Sequence, residues 1–157
     1  MAVFDCSTGT IRDHLPGEVP AHVPSLDELR VARNAEVTAK REAVFQAGYT
    51  PATGGLAGHT LQVRNIEDRA NWLTSQASYS AAVAAGLGSQ PGAVFRTATN
   101  ETIILTYAEG LAVIVQGMAA WGQSIMARSW ALKDEIDAAG DAATLALIDI
   151  DEGWPTG

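Results

Sequence analysis

The chain has 157 residues, 47% of them hydrophobic and 18% charged, a balance that builds a globular domain around a core and excludes a disordered one. Ten basic against eighteen acidic side chains leave a net charge of −8. Binding to nucleic acid or anionic lipid draws on cations that neutralise phosphates, so this balance points away from both and leaves proteins as partners. Cys6 is the only cysteine, and no disulfide can form within the chain.

Met1-Ala-Val-Phe-Asp-Cys6 has neither a basic stretch nor an apolar run and does not read as a signal peptide. Pro16, Gly17, Pro20 and Pro24 crowd the next segment. Each proline removes a donor and disfavours helix in the residue before it, so residues 1–24 are expected as an extended arm. Ser25-Leu-Asp-Glu28 spells a capping box, opening a helix that runs to about Ala47 and stops at Gly48. Its middle, Arg30 to Glu42, is heavily charged, while Val37 and Val44 lie one heptad apart, which predicts an exposed helix with a narrow buried stripe.

His59-Thr-Leu-Gln-Val-Arg64 alternates, placing Leu61 and Val63 on one side of an expected strand. Asn65 is placed to cap a second helix, Ile66 to about Ala85, with Trp72, Leu73, Tyr79 and Val83 as its apolar contacts. After the loop Gly86–Gly92, the runs Ala93–Thr97 and Thr102–Thr106 read as a hairpin turning at Asn100. With the strand at 59–64 they make an expected three-stranded antiparallel sheet.

A long helix is expected from Tyr107 to Ala138, about 32 residues and on the order of 48 Å. Leu111, Ile114, Met118, Trp121 and Ile125 recur at three- and four-residue steps, with Leu132 seven residues further on, and a second row holds Val115, Ala119, Met126, Trp130 and Ile136. Apolar residues surround the helix from 111 to 122, which implies burial on several sides. Leu111, Ile114, Met118, Trp121 and Ile125 are therefore the candidate residues for core packing or for a subunit interface. A coiled-coil seam is the less favoured form of that interface, because Arg128 and Glu135 stand where the seam wants apolar residues. Gly140 breaks the helix, and Asp141 caps a short one ending near Leu147 or Ile148. The expected fold is α+β and mostly helical: three major helices, a short C-terminal helix, a small three-stranded sheet and an extended N-terminal arm. Its expected divisions are 1–24, 25–140 and 141–157.

Chemical motifs are weak throughout. His14, His22 and His59 share no metal-ligand spacing with one another or with Cys6. Gly86-Leu-Gly-Ser-Gln-Pro-Gly92 follows a helix and precedes a strand, the reverse of a phosphate-binding loop. Asp149, Asp151 and Glu152 do not fit a calcium loop, whose sixth position needs glycine and whose twelfth needs glutamate. Ser75, Ser78, Tyr79 and Ser80 lie on a helix, away from the strained elbow a hydrolase uses. Gly110 to Ala127 holds no charge, but Gln116, Gln123 and Ser124 make it a poor membrane span. No catalytic residue, cofactor, metal or membrane span is expected.

Six segments carry a family resemblance through their order and spacing: Arg33-Asn-Ala-Glu-Val-Thr-Ala-Lys-Arg-Glu42, Gln62-Val-Arg-Asn-Ile-Glu-Asp-Arg69, Phe95-Arg-Thr-Ala98, Ile104-Leu-Thr-Tyr-Ala-Glu109, Arg128-Ser-Trp-Ala-Leu-Lys133 and Ile148-Asp-Ile-Asp-Glu-Gly-Trp-Pro155. Over most of its length the chain resembles a family of phage-encoded domains of unknown function, found in tail-fibre and tail-fibre-assembly proteins of tailed bacteriophages. The resemblance implies a structural virion protein of the tail (fibre, baseplate or tail tip) that docks other tail proteins, with a homo-oligomer among its forms. It would pass through the host cytoplasm during assembly. The other reading it implies is a tail-fibre assembly chaperone not retained in the particle.

Overall fold

The computed structural model describes the backbone of residues 2–5 and 9–13 and the whole of residues 22–157. In chain order the elements are β1 (Ala2–Asp5), β2 (Thr10–Asp13), α1 (Leu26–Ala47), α2 (Ile66–Ala84), β3 (Pro91–Arg96), β4 (Thr102–Thr106), the long helix α3 (Tyr107–Ala138) and α4 (Ala142–Ala146). The protein is mixed helix and strand, mostly helical.

The front of the expected extended arm is a hairpin instead. β1 pairs antiparallel with β2, Phe4 opposite Ile11, and Gly9 supplies a left-handed residue (φ +68°) before β2. Val3, Phe4, Thr10 and Ile11 are strand formers about a glycine, a local signal that the prolines further on masked. Pro16, Gly17 and Pro20, on which the arm expectation stood, lie outside the described residues, and Pro24 is in irregular chain.

α1 begins at its capping box: Ser25 N–H donates to Glu28 Oε2 at 2.8 Å, and the Ser25 hydroxyl accepts from Glu28 N–H at 3.3 Å. It ends at Gly48, φ +88°, where a Cβ would stand 2.7 Å from the Thr60 methyl and 2.8 Å from the Leu61 carbonyl. Only glycine fits that close approach. Val37, the one fully buried residue of α1, packs with Leu132 and Ile136 of α3, Ala139 and Leu145.

The sheet has two strands, not three. β3 and β4 form the hairpin, turning through Asn100 at φ +65°, while residues 59–64 contribute only an isolated bridge, Leu61 to Tyr49. Leu61 and Val63 do enter the core, so the alternation marked burial correctly. Side chains of α2 take the place of a ladder: Trp72 Nε1 donates to the Gln62 carbonyl at 2.7 Å, Arg69 Nε to the Val63 carbonyl at 3.3 Å, and Asp68 accepts from Arg64 N–H at 3.0 Å. Backbone groups satisfied this way need no neighbouring strand.

Phe95 of β3 is fully buried between Trp72 and Tyr79, with ring centroids 5.6 and 6.1 Å away. The Tyr79 hydroxyl both donates to the Val94 carbonyl (3.0 Å) and accepts from Val94 N–H (3.1 Å), tying α2 to the outer edge of β3. Tyr79→Phe should therefore cost about 1–2 kcal/mol. Urea titration would show this as a lower midpoint with an unchanged slope.

α3 follows directly from β4. Its first N–H groups are met by the Thr106–Glu109 capping box and by the Gly88 and Gln90 carbonyls of the preceding loop. Between Val113 and Met118 it widens into a π turn. Buried Gly110, Ile114 and Met118 are spaced by four, and each such step overshoots an α turn by about 40°. The wider turn takes up the excess and keeps the three on one face. Gly110 lies so close to β3 that a Cβ there would collide with the Ala93 side chain, and Gly117 gives the same room to the Tyr49 ring.

The chain after α4 crosses back over α1 and α3. Arg33 donates to the Ile148 carbonyl (2.5 Å), Arg128 to those of Asp149 and Glu152 (3.3 and 3.2 Å), and Lys40 pairs with Asp151 (2.6 Å).

Several carboxylates sit below their ordinary range for local reasons. A backbone bond from Ser25 holds Glu28 down, the Arg64 side chain holds Asp68, the Thr106 hydroxyl holds Glu109, a backbone bond from Thr144 holds Asp141, and Lys40 holds Asp151. Such groups add stability above their unfolded values, and it is lost as pH falls through the folded ones. The melting midpoint should thus be flat down to about pH 5 and fall below about pH 4, as thermal melts across a pH series would show.

Candidate docking surface

The five residues singled out on α3 divide by burial. Ile114, Met118, Trp121 and Ile125 are buried, and Leu111 is half-buried against them. Trp121 meets Phe45 edge-on at 5.7 Å and Tyr49 at 5.6 Å, and its indole N–H donates to the Pro155 carbonyl at 3.3 Å. These side chains are taken up by the core.

The second row faces outward except at its end, where Ile136 is fully buried against Val37. Val115 is 43% and Trp130 59% exposed, with Ala119, Ala120, Gln123 and Ala127 exposed between them and Met126 at the margin. Only 28% of the most apolar 18-residue stretch of α3 is buried, although the helix is long and apolar enough to cross a membrane. Gln116, Gln123 and Ser124, all exposed, were the signal for this face within a run otherwise apolar.

α2 forms one wall beside this stripe. Leu73, expected as a core contact, is 66% exposed; α2 turns Trp72 inward, and the next residue points away from the core. Two adjoining hollows run between the helices and share Gln76. One of about 210 Å³ is lined by Arg69, Leu73, Met118 and Ala119, and the other, about 480 Å³, by Val83, Leu111, Val115 and Gln116. Across α3 a further hollow of about 360 Å³ lies among Tyr49, residues 51–55, Glu109 and Gln116. Burial holds the Tyr49 hydroxyl above its usual range, so it stays a neutral phenol there.

The remaining sequence candidates are used structurally. His22 lies 3.2 Å from Glu28 and His59 3.3 Å from Glu101, while His14 and Cys6 fall outside the described residues. Among the described residues, no three potential ligands cluster as a metal site would require. In the 86–92 loop the Gln90 and Gly88 carbonyls accept from the Tyr107 and Ala108 N–H groups, so the loop itself occupies the α3 start. Asp149 accepts from Asp151 N–H, and Tyr79 is committed to Val94.

What the geometry offers is an uncharged, largely apolar stripe with a hollow beside it on a rigid helix pair, the form of surface that docks another helix. No curated protein and no solved structure matches the chain. A family model does match, over residues 28–152: the chain belongs to the family described as Domain of unknown function (DUF4376).

Proposed function

We propose that this protein is a structural component of the tail of a tailed bacteriophage, at the fibre, baseplate or tail tip, and that it acts by protein–protein docking. The observation that carries docking is the exposed, uncharged face of α3 between Glu109 and Arg128. A net charge of −8 favours protein over nucleic acid as the thing docked. The tail assignment rests on the resemblance of the six segments from Arg33 to Pro155. In this reading the protein resides in the virion tail after assembly in the host cytoplasm, with other tail proteins as partners and no catalytic step.

A peptide map of purified virions tests the reading. Recovery in fixed stoichiometry with other tail proteins is expected. Absence from virions, with the protein abundant in infected cells, would overturn it in favour of an assembly chaperone.

A further inference from the structure

We propose that the hollow between the 51–55 loop and the π turn of α3 is a binding site for an alkylammonium group, the charged end of a lysine side chain or of a free aliphatic amine. The inference rests neither on the docking reading nor on the tail assignment. The hollow has a volume of about 360 Å³, within the usual range for small-ligand sites. Val113, Gln116 and Gly117 of its α3 wall all belong to the π turn, and such turns recur at functional sites. Gly117 is what admits Tyr49, since a Cβ there would strike the phenol oxygen. The Tyr49 ring is used in packing, 5.6 Å from Trp121. Its hydroxyl makes no hydrogen bond with any described residue, and burial alone moves its titration. The Tyr79 hydroxyl, by contrast, makes two. A half-buried hydroxyl without a protein partner is a group that a ligand can use.

Charge selects the ligand class. Glu109 carries the only charge on the lining, which holds no lysine or arginine. Its capping bonds from the Thr106 N–H and hydroxyl both end on Oε2, so among the described residues Oε1 keeps its capacity to accept. The same bonds hold this carboxyl below its ordinary range, and it is ionised at neutral pH. A net charge of −8 adds a long-range preference for cations. An ammonium has three donors and no acceptor; Glu109, the Tyr49 phenol oxygen and the Gln116 amide carbonyl are three acceptors on the lining. Leu105, Ala112 and Val113 give an aliphatic stem apolar surface to lie on. An anionic ligand would face Glu109 with no cation to offset it, and a purely apolar one would leave the polar groups without partners.

Amide chemical shifts of the isotope-labelled full chain, titrated with n-butylammonium, test the site. Saturable shifts confined to residues 52–55 and 112–117 are expected at millimolar concentration. The neutral n-butanol, with the same stem, should bind about 10-fold more weakly. Glu109→Gln keeps a capping-box acceptor while removing the charge, and should weaken amine binding by about 10-fold. Tyr49→Phe should weaken it by about 3-fold, and both variants should still unfold cooperatively in urea. Nα-acetyl-lysine methylamide separates the two sources. Binding as tight as that of n-butylammonium assigns the hollow to a lysine side chain of a docked protein, and binding of n-butylammonium alone assigns it to a free amine. Absence of saturable shifts at these amides, equal affinity for n-butanol, or unchanged affinity in folded Glu109→Gln would overturn the proposal.

Discussion

Trp121→Ala should cost about 3–5 kcal/mol of folding stability, measured as a drop in the urea midpoint. The side chain is 6% exposed and fills the space between α1 and α3 through Phe45 and Tyr49. Truncation leaves a cavity that α1 cannot collapse into, because Val37, Leu132 and Ile136 hold the two helices apart further along. It also removes the indole donor to Pro155, so the C-terminal crossing should become more accessible to protease. Trp121→Phe, which keeps most of the ring and loses the donor, should recover most of the stability but not all of that protection.

Phe95→Ala should have an effect of similar size, about 3–5 kcal/mol, for a different reason. Phe95 has no exposed surface and stacks on Trp72 with planes 25° apart, while Tyr79 closes its other side. Aromatic pairs of this kind add about 0.5–1.5 kcal/mol beyond buried area. The loss should fall on the hairpin first: hydrogen exchange at β3 and β4 should accelerate more than exchange in the α1–α3 contact. Uniform acceleration across both would contradict the placement of Phe95 between α2 and the hairpin.

Helix starts were legible because capping is local. Ser25, Asn65 and Asp141 each accept the N–H three residues on, and no distant contact is needed to read that. The hairpin turn at Asn100 was legible for the same reason. Residues 59–64 were not, because alternation reports only which side chains are buried. It does not say whether a neighbouring strand or, as here, Trp72, Asp68 and Arg69 will satisfy the backbone. Nor did the pattern decide between the two rows of α3. Leu111–Ile125 and Val115–Trp130 have similar spacing, and only the positions of β3, α1 and α2 choose which row is covered. Leu73 was misplaced for that reason too: it follows Trp72, and both cannot face one core. The π turn, which keeps Gly110, Ile114 and Met118 on one face, was not legible, because partners remote in sequence choose that face.

The division of α3 into a core face and an exposed face is tested most directly by the urea stability of two variants. Ala119→Glu, at an exposed position, should unfold cooperatively within about 0.5 kcal/mol of the parent. Trp121→Ala should lose about 3–5 kcal/mol. If Trp121→Ala instead kept the parent's midpoint, and Ala119→Glu lowered it, the two faces would be the reverse of those described.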